Sequence, residues 1–238
     1  MADRQVIQWQ TIAVEAAAIV VSILLAFAID AWWAGKREND VEQEALQALR
    51  SDFILSREQM GQVLRSLKGA REDFAIFQSA SPAELNEFNA DAIQLTLTGL
   101  SKNHTFDPVT ATLDALANDG RLGLISDPEL LRNLSKWRRE LDNIDDISFE
   151  LRAESVLVRR AMERHGGPFM RWSRSVDDFD VLAKASGETL ASMRQDEGFM
   201  GSARSHQYAL VVYLRELRYL AETLDATVAS LEQLDVQQ

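Results

Sequence analysis

From Thr11 to Trp33 the chain reads TIAVEAAAIVVSILLAFAIDAWW, and it continues without a proline into a charged, heptad-patterned segment that ends near Phe77. Between Ile12 and Ala34 only Glu15 and Asp30 are ionisable. A helix of this length, rising about 1.5 Å per residue, spans a hydrocarbon core of roughly 30 Å. Residues 12–34 therefore read as a transmembrane helix, preceded by a short tail over residues 1–11. Trp9 lies at one end of the span, and Trp32, Trp33, Lys36 and Arg37 lie at the other. Amphipathic rings and long cations of this kind anchor a helix at the headgroup level. A cleaved signal peptide would need a positively charged leader and a small-residue cleavage site. Here the leader is nearly uncharged, and tryptophans followed by a basic pair stand at the far end.

Stepping about 100° per residue, Glu15, Ala18, Ser22, Ala26 and Asp30 fall on one face of the span, while Val20, Leu24 and Phe27 point the other way. Small residues spaced by four let another helix backbone approach closely, and polar groups on that stripe are kept off lipid. The stripe is read as a face for packing against another helix, in a partner membrane protein or a second copy. The competing reading has the two acids snorkelling to water from either end of the span. A proton relay is disfavoured, because the carboxylates stand about 22 Å apart along the axis with no ionisable group between them.

Beyond the membrane, apolar residues recur every seven positions at Leu46, Phe53, Met60, Leu67 and Phe74. Leu49, Val63, Ala70 and Phe77 follow three residues after their neighbours, and only Ser56 breaks the second row. The pattern predicts one long amphipathic helix over about 38–78, continuing the span directly. It fits either a bundle helix covered by its own chain or an intermolecular coiled coil, and the later helices make the first the better expectation.

Ser81, Pro82 and Glu84 have the spacing of a capping box with proline at the first helical position. A further short helix is read over residues 91–100, where the alternation of Ile93, Leu95 and Leu97 leaves a strand as the alternative. Asp107 and Pro108 read as the start of a short helix reaching Asn118, stopped by Gly120 in a left-handed conformation. Ser126 or Asp127 caps a long helix over 128–165 that opens on Pro128 and buries Leu130, Leu134, Trp137, Leu141, Ile144, Leu151 and Val158. A last helix over about 203–234 carries the ladder Leu210, Leu214, Leu217, Ala221, Leu224, Val228 and Leu231. Long helices with one apolar stripe each can bury one another, so residues 35–238 are expected to form an all-α bundle outside the membrane.

The chain carries 25 Lys and Arg against 37 Asp and Glu, with no cysteine. An acidic domain of this kind is repelled by nucleic-acid backbones, and disulfide or thiolate chemistry is unavailable. The histidines His104, His165 and His206 are scattered, without the i, i+4 spacing of a helical metal site. His165 is expected to sit against carbonyl dipoles at a helix end. The GRLG stretch at 120–123 lacks the remainder of a phosphate loop and reads as a turn between helices. No catalytic residue, cofactor site or metal site is expected.

Two passages, QWQTIAVEAAAIVVSILLAFAIDAWWAGKREN and TFDPVTATLDALANDGRLGLISDPELLRNLSKW, together resemble a family of bacterial single-span membrane proteins of unknown function. The first is similar to the family's opening Trp and Thr, acidic residue, apolar span, Trp and basic pair. The second is similar to its aromatic and acidic start, glycine turn, Leu-Ile pair and Asp-capped helix. Asp30 and Ala31 depart from the Asn expected beside the Trp, and the amino-terminal tail is shorter and less basic. The resemblance implies anchoring in a bacterial inner membrane and a helical domain, and it implies no reaction or ligand.

Lys36, Arg37 and Arg50 after the span against Arg4 before it favour a cytoplasmic carboxyl domain. Relatives with a basic tail would place that tail inside, which leans the expectation slightly toward a periplasmic domain. The function expected is that of a non-enzymatic accessory or scaffold subunit in contact with membrane lipid and a larger membrane complex. The alternative is a membrane-anchored sensory module in which the helical bundle binds a ligand.

Overall fold

The structure, a computed structural model, describes residues 9–166 and 185–236, with side chains over 18–166 and 185–234. Its helices in chain order are α1 (Trp9–Ser79), α2 (Pro82–Asn86), α3 (Ala90–Leu100), α4 (Ala111–Asn118), α5 (Pro128–Glu163), α6 (Gly187–Gln195) and α7 (Glu197–Val236). A 3-10 turn at Arg121–Leu124 joins α4 to α5, and no strand occurs among the described residues. The protein is all-α.

Helix α1 runs unbroken for 71 residues, about 106 Å, so that one rod carries both the apolar stretch and a wall of the bundle. Its heptad residues Leu49, Phe53, Met60, Val63, Leu67 and Phe77 are all buried by later parts of the same chain. An intermolecular coiled coil is not needed to cover them, because α7 and the segment after α3 occupy that face.

The order of the other helices follows from a few contacts. At the span-proximal end the backbone N–H of Ser126 donates to Glu42 at 2.7 Å, and Asn133 of α5 meets Ser230 of α7 at 3.1 Å. At the far end Phe77 meets Phe199 edge-on at 6.2 Å. Helices α1 and α5 therefore run away from the span, and α7 returns toward it. Residues 101–127 also return, alongside α1. The architecture is up-down-up-down, with one descending leg only partly helical.

That leg begins with an extended strap over 101–110 whose backbone groups cannot use a helical ladder. Side chains from neighbouring helices take them instead. The N–H of Phe106 donates to the Tyr213 hydroxyl at 2.8 Å and that of Val109 to Ser56 Oγ at 3.0 Å, while just past the strap, in the first turn of α4, the N–H of Thr112 donates to Asp52 Oδ2 at 3.1 Å. The Lys102 carbonyl accepts from His206 Nε2 at 3.0 Å. Phe106 and Phe53 both lie against Trp137, with ring centroids 6.2 and 5.3 Å away, so the strap fills the space between α1 and α5. A second core at the far end joins Phe77, Leu85, Leu97, Leu190 and Phe199 beneath α2, α3 and α6. There α2 and α6 approach so closely that a Cβ at Gly187 would strike the Leu85 carbonyl oxygen and the Asn86 Cα.

Several boundaries differ from the sequence reading. Residues 90–100, read as a helix with a strand as the alternative, form α3, capped by Asn89 accepting from Ala92 N at 2.8 Å. Asp107 and Pro108 start no helix. Proline holds its predecessor extended, and α4 begins at Ala111 with Asp52 of α1 in the capping role. Gly120 adopts φ 68°, the left-handed stop. Of the two caps the sequence offers, Asp127 is the one used, accepting from Leu130 N at 2.6 Å, while the Ser126 N–H donates to Glu42. Helix α7 begins at Glu197 rather than near 203. Its first turn is capped by Asp196 Oδ1, which accepts from Gly198 and Phe199, so the glycines at 198 and 201 lie inside the helix.

Tyr213→Phe and Ser56→Ala each leave a strap N–H without its acceptor and are expected to cost about 1–3 kcal/mol. Leu95→Ala, at an exposed α3 position, is expected to change stability by less than about 0.5 kcal/mol. Urea unfolding of the full chain in mild detergent, followed by far-UV circular dichroism, compares the three. Equal losses in all of them would contradict the role given to the strap.

Candidate functional site

The face selected by the sequence lies on α1, and from Ala18 onward no other described residue covers it. From Ala18 to Trp33 every side chain is exposed, including Phe27 at 68% and Leu24 at 62%. The backbone at Trp9 and Glu15 belongs to α1, while their side chains lie outside the described residues. Ser22 donates its hydroxyl to the Ala18 carbonyl at 2.8 Å, which satisfies it within its own helix. Ala18, Ser22 and Ala26 thus form a shallow channel, flanked by Ile19 and Ile23 on one side and Leu25 and Ile29 on the other. Asp30 closes the channel at the bundle end.

The anchors cluster where the apolar stretch stops. Trp32 and Trp33 meet edge-on, with centroids 5.3 Å apart, and Lys36 Nζ stands 5.9 Å from the Trp33 ring centroid. A cation over an indole face favours this arrangement at a wet boundary. Arg37 lies one residue further along the same exposed stretch.

The orientation of the stripe relative to the bundle follows from helical phase. From Asp30 to Leu46 the helix turns through about 1600°, leaving the two roughly 160° apart around the axis. Leu46 and Leu49 face the core. The channel is therefore on the opposite side of α1 from α5 and α7, and an incoming helix could reach it without meeting this chain's own bundle.

Elsewhere among the described residues two histidines have polar partners on other elements. His165 does not sit on helix carbonyls as the sequence reading expected. Its Nδ1 meets Ser192 Oγ at 3.1 Å, and its Nε2 meets Asp196 Oδ2 at 3.0 Å. The two nitrogens bridge α6 to the Asp196 cap of α7, whose carboxyl is held below its usual range by the Phe199 N–H and by His165. Serine, histidine and aspartate come together here, but the aspartate is committed to a helix cap and the histidine to both partners, a tie between helices. Among the described residues no cluster of metal-binding side chains occurs.

His206 is fully buried on α7, with Nε2 toward the Lys102 carbonyl and Nδ1 without a partner among the described residues. Since a carbonyl only accepts, Nε2 carries a proton. Burial pushes its pKa down to about 4, with Arg159 adding in the same direction against the Lys102 hydrogen bond. The sequence signal for its burial was present: His206, Leu210, Tyr213 and Leu217 continue one stripe at helical spacing.

The chain matches no protein-family model, no curated protein and no solved structure.

The depressed pKa of His206 has a definite sign. Above the unfolded value of 6.5 both states hold the ring neutral and its contribution is fully present. As pH falls toward about 4, only the unfolded chain takes up the proton and stability is lost. Between pH 7 and 5 the loss is expected to be about 2 kcal/mol from this residue. Urea midpoints of the wild type and His206→Gln at the two pH values test this, the variant being expected to lose most of the difference.

Proposed function

We propose that this protein is a non-enzymatic, single-pass membrane protein whose α1 crosses the bilayer and packs through the Glu15, Ala18, Ser22, Ala26 and Asp30 face onto a helix of a larger membrane complex. The bundle stands outside the membrane as the accessory or scaffold portion. The observation that carries this reading is a long helix whose apolar window, of mean hydropathy 1.9, is covered by no other described residue. A core helix would be buried, and a run of exposed Ile, Leu, Val, Phe and Trp in water would be an aggregation surface. Lipid and one neighbouring helix cover it without cost.

Two further points support the accessory reading. The channel faces away from the bundle, so a partner helix and this chain's own domain do not compete for space. One continuous α1 also fixes the bundle to the membrane helix, as a rigid scaffold requires. The resemblance to bacterial single-span proteins points to an inner membrane, with the bundle on the periplasmic side. An acidic domain fits either side.

In a membrane fraction the protein is expected to resist carbonate extraction and to retain its full-length mass. Release by carbonate, or a mass matching loss of the apolar stretch, would mark the stretch as a processed leader. Ala18→Leu combined with Ala26→Leu fills the channel and is expected to strip co-purifying membrane partners at least tenfold in mild detergent, while carbonate resistance is unchanged. Val20 and Leu24, on the opposite face, already carry bulk, so Val20→Leu serves as the neutral control.

A further inference from the structure

A second surface, independent of the membrane helix, lies between α5 and α7. Small side chains there, Ala153 on α5 and Ser205 and Ala209 on α7, hold open a groove. Two aromatic rings stand on its edges almost fully in solvent: Phe149 is 71% exposed and Tyr208 is 73% exposed. Exposed rings on facing helices, beside an apolar floor completed by Val212, form a patch of the kind that marks an interaction site.

The charges at the groove are also unusual. Glu150 and Glu154 are one helical turn apart on the α5 wall, a like-charge pair that disfavours the helix locally. Neither forms an ion pair among the described residues, and on the opposite wall Arg204 forms none either. Elsewhere on α5 the comparable i, i+4 pair joins opposite charges, Lys136 with Glu140 at 3.6 Å. Two carboxylates against one guanidinium leave the groove with a negative excess.

We infer that this groove is the docking site for a helical segment of another protein bearing Lys or Arg, its cations set between the Glu150 and Glu154 carboxylates and the exposed faces of Phe149 and Tyr208. Carboxylate and aromatic faces together select a cation over a neutral or acidic side chain. The small-residue floor admits a helix laid along the groove. Lipid is the wrong occupant, because Phe149 stands roughly 30 Å along α5 from its span-proximal start and anionic headgroups would be repelled. A second copy is disfavoured because pairing two such grooves gathers four carboxylates around two guanidiniums. The inference does not rest on the membrane reading and survives its failure.

The test uses full-length protein in neutral detergent and a fluorescein-labelled twenty-residue alanine helix with a lysine at every fourth position, with the glutamate counterpart as control. Anisotropy titrations are made for the wild type, Glu150→Gln/Glu154→Gln, Phe149→Ala/Tyr208→Ala, and Glu44→Gln/Glu58→Gln on the exposed side of α1. The last pair changes net charge as much as the first but lies far from the groove. All four positions in the groove pairs are at or near the surface, and unchanged melting temperatures confirm folding. The expected result is lysine-peptide binding weakened about tenfold by each groove pair, unaltered by the α1 pair, and no binding of the glutamate peptide. Equal weakening by the α1 pair reduces the effect to general attraction to an acidic protein and overturns the inference. So does a wild-type affinity in both groove variants. A dimer by light scattering that Phe149→Ala/Tyr208→Ala converts to monomer assigns the groove to a second copy and also overturns it.

Discussion

The bundle depends on how an extended strap is kept between helices without leaving its backbone polar groups bare. Burying an unpaired N–H is costly, and a non-helical segment has no ladder of its own to supply acceptors. Here Ser56 of α1 and Tyr213 and His206 of α7 take up the strap's groups at hydrogen-bond distance, and Asp52 of α1 takes the N–H of Thr112 where the strap passes into α4. Those four side chains therefore tie the descending leg to α1 and α7. They also explain polar residues that an apolar ladder would reject: Ser56 and His206 are buried at core positions because the strap needs a hydroxyl and a ring N–H there.

Along α1 two different problems are solved by one rod. The first part is apolar all round apart from a small and acidic stripe, and from Ala18 to Trp33 no other described residue covers it. The second part buries its heptad rows under α7 and the strap. Because the helix has no proline, the phase between the two is set by geometry, and the stripe faces away from the bundle. The small-residue stripe and the core face are therefore on opposite sides of the same cylinder.

The distal end has a tighter arrangement. Gly187 lets α6 approach the α2 backbone, and Gly99 sits against the Asp73 side chain, so bulk at either position would force the short helices off the second core. Asp73 in turn has its pKa raised by partial burial and by Glu72, with Lys102 of the strap acting the other way. His165 ties the end of α5 to the α6–α7 corner through Ser192 and Asp196.

Much of this was decided by local sequence. Heptad rows from Leu46 to Phe77 and from Leu210 to Leu231 are long enough for periodicity alone to specify helices and their buried sides. Capping residues at Ser81, Asp127 and Gly120 fix boundaries through short-range hydrogen bonds and a positive φ. The apolar run after Thr11 needs only its length and composition to be read as a candidate span. Tertiary structure decided what depends on residues far apart in the chain. Asp107 and Pro108 look like a helix start until Ser56, fifty-three positions before Val109, claims the strap. The groove edged by Phe149 and Tyr208 exists only because α5 and α7 pack antiparallel, and each ring, seen in its own helix, is simply an aromatic on a solvent face. Periodicity reports which side of a helix is buried, and it is silent about which distant side chain satisfies a given backbone group.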